Sequence, residues 1–286
     1  MRRDELAHRS RFVRPLKAAL VHGRSVGWNL RRRADHPGLR ILFYHRVTDE
    51  RDDLAVTTPR FRAQMAFLAA EGYSVHGVVE GFELFSRNEL PPRSLLLSFD
   101  DGYRDVQENA LPVLAEHEFS ATVFVVTGAL EGTSSFAWYR RQPPLMSWDD
   151  VVALDQMGTL RFEAHSITHS RLTDLATEAA RSEIVGSKQT LEQRLGRPVE
   201  AFCYPGGIFG RRERDLAAEA GYRLAVSCDP GTNDAATDAF ALHRQQIEAR
   251  DRLIDFRAKL GGGHDSPLPF QRLYRRVRYQ DSGNRG

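Results

Sequence analysis

Cysteine, long apolar runs and a strong net charge are all scarce in this 286-residue sequence. Its two cysteines, Cys203 and Cys228, are too few for a disulfide framework and lack the second pair that a zinc knuckle needs. The longest apolar stretches, such as 121–126, are strand-sized and far shorter than the roughly 20 residues that span a bilayer. Basic residues also interrupt every apolar run near the N-terminus, whereas a secretory signal needs an uninterrupted apolar segment. We therefore expect reduced cysteines and a cytoplasmic protein without a transmembrane helix or signal peptide.

The net charge of +2, from 40 basic and 38 acidic residues, argues against a nucleic-acid partner. This balance conceals an uneven distribution. Residues 1–40 carry eleven basic and three acidic side chains, a charge of +8, and residues 268–286 carry +4. Residues 41–267 then carry −10. The two ends and the body therefore need separate interpretations.

Apolar residues make up 41% and charged residues 27% of the sequence, as in folded globular proteins. From residue 40 onward, short β-rich runs alternate with amphipathic stretches. The predicted strands are 40–44, 94–99, 121–126, 161–164, 201–204 and 224–227. The predicted helices are 59–71, 106–117, 148–157, 177–195 and 213–220. This alternation predicts an α/β fold with a parallel sheet or barrel wrapped by helices.

Two adjacent carboxylates, Asp100 and Asp101, end the apolar strand at 94–99 and precede Gly102. Catalytic groups collect at the C-terminal ends of parallel strands, and a strand-to-loop turn lets both side chains reach one site. Taken alone, Asp-Asp-Gly also fits a helix N-terminus with two solvated acids.

A second motif, His165 to His169, directly follows the strand at 161–164. Histidines at i and i+4 lie on one face of a helical turn and can chelate one cation. Such a pair is often incidental. Together with one carboxylate, however, it forms a two-histidine, one-carboxylate set that leaves positions for water and substrate.

The two motifs together resemble those of the polysaccharide deacetylases, which are carbohydrate esterase family 4 or NodB homology domains. The resemblance covers about residues 40–250 and implies a distorted (β/α)7 barrel. It implies that Asp101, His165 and His169 bind one divalent metal ion, with Zn²⁺ expected, and that Asp100 is the general base. The implied reaction removes an N-acetyl group from an amino-sugar polysaccharide or glycoconjugate and releases acetate.

The general acid has two candidates. The early segment that contains Tyr44 and His45 is similar to the permuted subgroup typified by biofilm poly-N-acetylglucosamine deacetylases, which implies His45 as the acid. His243, in a late segment that fits the common family pattern poorly, is the second candidate. A buried structural histidine also fits each position.

The family's third motif is matched only in part by residues 202–207. Cys203 or Tyr204 stands where an arginine usually steadies the base, and Gly206 stands where an aromatic residue is usual. A backbone N–H of Gly206 still suits an oxyanion hole, and Tyr204 is a further candidate for substrate contact. A plain Pro-Gly-Gly turn is the alternative. The sequence leaves open what steadies Asp100.

The insertion at 132–147 holds Trp138 and Tyr139, which suit stacking on a sugar, although a loop that packs its own aromatic residues fits equally. We divide the chain into a basic helical extension at 1–39, a catalytic domain at 40–260 and a basic tail at 261–286. The N-terminal extension suits either peripheral contact with the inner face of a membrane or packing on the domain.

The expected substrate is an N-acetylated glycan or a lipid-linked sugar. Two alternatives to this activity remain: a related barrel hydrolase that acts on another non-peptide C–N amide bond, and a glycan-binding protein without turnover.

Overall fold

The computed structural model describes residues 19–29 and 38–265. Eight parallel strands form one curled sheet in the order β10-β1-β5-β6-β7-β8-β9, and β4 pairs with the first half of β5. The strands are β1 Arg40–Tyr44, β2 Arg46–Val47, β3 Ala55–Val56, β4 Ser74–His76, β5 Ser94–Asp101, β6 Ala121–Val125, β7 Leu160–Ala164, β8 Ala201–Cys203, β9 Leu224–Val226 and β10 Gln245–Gln246. Strands β2 and β3 form a separate parallel pair.

Helices cover the sheet between successive strands, as parallel pairing requires. Residues 19–29 are helical and are named α1. The other helices are α2 Thr58–Ala70, α3 Val78–Ser86, α4 Leu111–Glu116, α5 Thr127–Leu130, α6 Trp148–Met157, α7 Thr177–Leu195, α8 Arg211–Glu219 and α9 Leu253–Leu260. A π-helical turn at Val106–Ala110 precedes α4, and two 3₁₀ turns lie at Leu172–Asp174 and Pro205–Gly207.

This arrangement confirms the predicted distorted (β/α)7 barrel and all six predicted strands to within two residues at each end. Strands β5 and β6 are buried on both faces, which explains their nearly continuous apolar sequences. The sequence did not indicate α3 and α9, which have nine and eight residues, nor the short elements β2, β3, β4, β10 and α5. The short elements have two to four residues each, which is too few for a hydrophobic period.

The segment before β10 joins the two ends of the sheet. Leu242 forms a parallel bridge with Val226 of β9, and three residues later Gln245 pairs with Leu42 of β1. This crossing segment carries His243 and Arg244 past the C-terminal ends of the strands. It therefore delivers one of these two side chains to the interior of the barrel, since successive side chains point to opposite faces.

Helix α1 packs against the end of the described chain. Ser25 Oγ lies 3.0 Å from His264 Nε2, and the Trp28 ring lies so close to Gly261 and Gly263 that a Cβ atom at either position would collide with it. For residues 19–29 these contacts agree with the packing interpretation of the basic helix. The predictions made for residues 1–18, 30–37 and 266–286 lie outside the described residues.

No helix within residues 19–29 and 38–265 combines the length and apolar character needed to cross a membrane.

Candidate active site

The two sequence motifs meet at the C-terminal end of the sheet. Asp101 is the last residue of β5, and its Oδ1 atom lies 3.7 Å from Nε2 of both His165 and His169. The two imidazole rings are 4.7 Å apart and nearly perpendicular. The structure thus brings together the three residues that the sequence predicted as metal ligands.

The segment from His165 to His169 is a loop, and the predicted helical turn is wrong. Ser166 and His169 have positive φ angles of 64° and 59°, which no α-helix contains. The N–H groups of Ile167 and Thr168 donate to Glu183 Oε2 of α7, both at 2.9 Å. The carboxylate of Glu183 therefore shapes the loop, and the loop brings the two histidines together.

Both histidines are held in the neutral form. His165 Nδ1 lies 2.7 Å from the carbonyl oxygen of Cys203, so that this nitrogen carries the hydrogen and Nε2 presents its lone pair toward Asp101. Burial lowers the pKa of His165 to about 4. Burial, followed by the charge of His165, lowers the pKa of His169 to about 3. Neutral imidazole is the form that binds a metal ion.

The surroundings of Asp101 fit a cation. Among residues 19–29 and 38–265, no donor meets both the distance and the angle of a hydrogen bond to either of its buried carboxylate oxygens, although the Tyr103 hydroxyl lies near enough to act on its pKa in the lowering direction. Burial and then the negative charge of Asp100 raise the pKa of Asp101 to about 8. A buried carboxylate without a partner is costly unless a positive charge compensates it. The group of Asp101, His165 and His169 thus has the ligand types and the charge deficit of a metal site.

A second group of possible ligands, Asp100, His165 and Cys203, has its ligand atoms within 4.8 Å of one another but fits a metal less well. Both oxygens of Asp100 already accept hydrogen bonds from Arg244. Burial raises the pKa of the Cys203 thiol well above its ordinary value, which keeps the thiol protonated. Only a thiolate is a strong metal ligand.

Arg244 is the partner of Asp100 that the sequence did not reveal. Its Nη1 and Nη2 atoms donate to Oδ1 and Oδ2 of Asp100 at 2.7 and 2.8 Å, and the guanidinium is completely buried. Its Nε donates to the carbonyl oxygen of Ser227 at 2.8 Å. Burial by itself would raise the pKa of Asp100, but Arg244 outweighs it and lowers this pKa to about 2. Asp100 is therefore ionised and held in a fixed orientation.

The guanidinium of Arg244 lies beside Asp100, where the family resemblance led us to expect an arginine at position 203 or 204. Arg244 Nη2 lies 3.0 Å from Cys203 Sγ, so a small side chain on β8 leaves room for an arginine from the crossing segment. The sequence offered one indication of this role. In an extended segment successive side chains point to opposite faces, so Arg244 faces the barrel interior if its neighbour His243 faces outward.

His45 and His243 lie in different surroundings. His45 directly follows β1, and its charge interacts with those of Asp100, His165 and Arg244. Burial lowers the pKa of His45, although Asp100 acts in the opposite direction. His243 instead packs its ring against Gly231, and its backbone N–H donates to Asn233 Oδ1. The structure therefore brings His45 to the site and directs His243 away from it.

The two candidate residues of the third motif, Tyr204 and Gly206, also lie in different surroundings. The Tyr204 hydroxyl donates to the carbonyl oxygen of Phe240 at 3.1 Å, and its buried ring stacks on Phe209 at 4.3 Å. Its side chain is thus occupied by core packing. Gly206 is exposed in the turn after β8 with a φ of 64°. Its N–H stays a predicted oxyanion donor at the same end of the sheet.

Comparison with known proteins agrees with this geometry. A family model described as polysaccharide deacetylase matches residues 87–225, which include both motifs. The Bacillus subtilis protein YxkH, which is named as a polysaccharide deacetylase, is 26% identical over 210 residues, covering 73% of this chain and 71% of that protein. A Staphylococcus epidermidis poly-β-1,6-N-acetyl-D-glucosamine N-deacetylase is 26% identical over 164 residues, 54% of each chain.

Among solved structures, the Streptococcus pyogenes deacetylase PplD in complex with acetate has the same fold, with a TM-score of 0.70 and 24% identity. The match covers 79% of this chain and 99% of that one. The chain is therefore similar to the polysaccharide deacetylases over the part that carries both motifs, as the two motifs predicted.

Proposed function

We propose that the protein is a metal-dependent hydrolase that removes an N-acetyl group from an amino-sugar unit of a glycan or glycoconjugate and releases acetate. The observation that carries this proposal is the pair of adjacent carboxylates with opposite surroundings. Asp100 is bound on both oxygens by Arg244, whereas Asp101 faces two neutral histidines without a hydrogen-bond donor in the described chain. The N-deacetylase among the relatives supports the choice of an N-acetyl substrate.

Asp101, His165 and His169 would hold the metal ion. Two imidazole nitrogens and one carboxylate suit Zn²⁺, which is the ion we propose, and they leave a position free for water or substrate. When bound, a divalent cation lowers the pKa of a coordinated water and polarises the amide carbonyl.

Asp100 is the proposed general base. Its pKa of about 2 keeps it ionised at neutral pH, and the two bonds from Arg244 fix both oxygens in one orientation. The carboxylate accepts a proton from the water that attacks the acetyl carbon. Because the proposed base and the proposed metal ligand are consecutive residues at a strand end, the proton acceptor lies directly beside the side chains that would hold the metal ion.

His45 is the proposed general acid, and Gly206 supplies a backbone N–H to the developing oxyanion. The C–N bond breaks as the amine nitrogen takes a proton from His45, which leaves acetate and a free amino sugar. The lowered pKa of His45 makes its imidazolium a stronger proton donor than an ordinary histidine. Cleavage of a different C–N amide bond and glycan binding without turnover are the alternatives.

A release assay decides among these three. Purified protein is stripped of metal with a chelator and offered β-1,6-linked and β-1,4-linked N-acetylglucosamine oligomers, N-acetylated lipid-linked sugars and non-sugar amides, with and without added Zn²⁺. We expect acetate release from at least one N-acetylated sugar that depends on the added metal. Hydrolysis of non-sugar amides alone would favour the first alternative, and binding without any release would favour the second.

A further inference from the structure

An exposed tryptophan lies beside the metal-binding loop. The large apolar side chains that are exposed among the described residues are Leu20, Trp138, Met157 and Leu253, and Trp138 is the aromatic one. The residue is 49% exposed, and its ring centroid lies 5.0 Å from that of His169. A tryptophan with half of its surface in water is unfavourable in the free protein. Its place next to a metal-ligand candidate therefore calls for a functional explanation.

The indole of Trp138 is held in one orientation from below. Phe136, which is 3% exposed, stacks on it at 4.8 Å with an angle of 17° between the planes. Phe136 is itself fixed edge-to-face against His169 at 5.8 Å and against Tyr103 at 5.6 Å. Because Phe136 covers one face of the indole, the exposed surface lies on its opposite face and its edge. Trp138 thus presents a flat apolar surface at the border of a polar site.

The loop that carries Trp138 is also anchored to the other side of the site. The hydroxyl of Tyr139 donates to Asp52 Oδ2 at 2.5 Å. Asp52 accepts further bonds from Arg46 at 2.8 Å and from the N–H of Leu54 at 2.9 Å, within the β2–β3 connection that begins next to His45. The flat surface is therefore fixed relative to the proposed acid as well as to His169.

We propose that Trp138 stacks on the face of a pyranose ring and positions the sugar unit whose N-acetyl group is hydrolysed. A pyranose has an apolar face of C–H groups, which packs well on an aromatic ring, while its hydroxyl edges stay in water. Trp138 is in this account a substrate-positioning residue, held by Phe136 and by the Tyr139–Asp52 bond. The inference rests on the proposed function for the identity of the sugar and deepens it.

Kinetics with two substrates test the inference. Trp138→Ala, Trp138→Phe and the control Met157→Ala are compared on an N-acetylglucosamine pentamer and on 4-nitrophenyl acetate, an acetyl ester without a sugar ring. We expect Trp138→Ala to raise KM for the pentamer about tenfold, which corresponds to about 1.4 kcal/mol. It should leave ester turnover and metal content unchanged. Trp138→Phe should retain most of the affinity, and Met157→Ala should behave as the unmodified protein.

Two results would overturn the inference. An unchanged KM for the pentamer in Trp138→Ala means that the sugar does not use this surface. Equal losses on both substrates, together with reduced metal content, mean that Trp138 only supports His169.

A binding measurement separates this inference from the proposed function. Titration with the pentamer should change the tryptophan fluorescence of the intact protein, and Trp138→Phe should abolish the change although Trp28 and Trp148 remain. If the protein releases no acetate, the proposed function fails, and the titration still decides whether Trp138 binds a sugar. A fluorescence change that persists in Trp138→Phe would contradict the stacking.

Discussion

At the scale of single residues, Asp100 and Asp101 show how neighbouring carboxylates acquire different roles. Both side chains are buried almost completely. Arg244 lowers the pKa of Asp100 to about 2, whereas burial and the charge of Asp100 raise the pKa of Asp101 to about 8. The difference therefore comes from the partners and not from the degree of burial. Asp100 is thus ionised with its charge compensated by Arg244, whereas Asp101 lacks a compensating positive charge.

The Asp100–Arg244 pair should behave as a coupled unit. Arg244→Gln leaves Asp100 as a buried charge without compensation, and we expect a loss of about 3–5 kcal/mol in the free energy of unfolding. Adding Asp100→Asn removes that charge, so the double variant should lose clearly less than the sum of the two single variants. Urea unfolding of the four proteins measures this coupling. Additive losses would contradict a direct interaction between the two side chains.

The two candidate acids can be separated by one pair of variants. His45→Ala should lower kcat by about 10²–10⁴-fold with metal content unchanged, because the leaving amine loses its proton donor. His243→Ala is the matched control and should stay close to the unmodified protein, since this ring packs against Gly231. Acetate release and elemental analysis provide both readouts. The opposite outcome would assign the acid to His243.

At the scale of secondary-structure elements, α7 stabilises the loop at residues 165–169. Glu183 accepts the N–H groups of Ile167 and Thr168, and its other oxygen accepts the hydroxyl of Thr168 at 2.7 Å. These bonds stabilise a backbone with positive φ at Ser166 and His169, which is unfavourable for residues other than glycine. One helix side chain thus holds both histidines in place.

Replacing this carboxylate should weaken metal binding without removing a ligand. Glu183→Gln substitutes one of the two acceptor oxygens by an amide and should lower the affinity for Zn²⁺ by about 10–100-fold. Glu178→Gln, on the exposed surface of the same helix, is the control and should have no effect. A competition titration with a chromophoric chelator gives the affinity. Equal affinities in both variants would contradict the positioning role of Glu183.

The β2–β3 connection should contribute a pH-dependent part of the stability. Burial would raise the pKa of Asp52, but the Leu54 N–H, the Tyr139 hydroxyl and Arg46 outweigh it and lower this pKa from 3.8. A carboxylate with a lowered pKa stabilises the fold above its unfolded value and loses this contribution as the pH falls. Asp52→Asn should therefore cost about 1–3 kcal/mol at pH 7. In thermal unfolding the difference should shrink below about pH 4; a constant difference would contradict this account.

At the scale of the whole molecule, the sequence predicted the barrel, and it predicted that Asp101, His165 and His169 lie together, because both depend on contiguous segments. The strand before Asp100 and the histidines at 165 and 169 are local patterns, and motif order placed them at one end of the sheet. Arg244 could not be found in this way, because its contact with Asp100 spans 144 residues and requires the segment before β10 to join β9 to β1. The helical turn was wrong because Glu183, which is distant in sequence, competes for the loop's N–H groups.

The structure explains part of the uneven charge distribution, namely the contact of the basic N-terminal segment with the acidic body. Residues 19–29 belong to the basic N-terminal segment, and they pack on α9 and the glycine-rich turn after it. His22 Nδ1 lies 3.3 Å from Asp255 Oδ1, so an acidic side chain of the body contacts a side chain of this segment. Contact of the N-terminal extension with an anionic membrane stays a prediction, as do the limits of the extension and of the C-terminal tail.

The central claim is that consecutive carboxylates divide the work, with Asp101 binding the metal and Asp100 accepting the proton. The most direct test measures bound metal and acetate release together in Asp100→Asn and in His169→Ala. We predict that Asp100→Asn retains the full metal content and loses at least about 100-fold in acetate release. His169→Ala should lose most of its metal along with its activity. Normal turnover in Asp100→Asn, or unchanged metal in His169→Ala, would contradict the account.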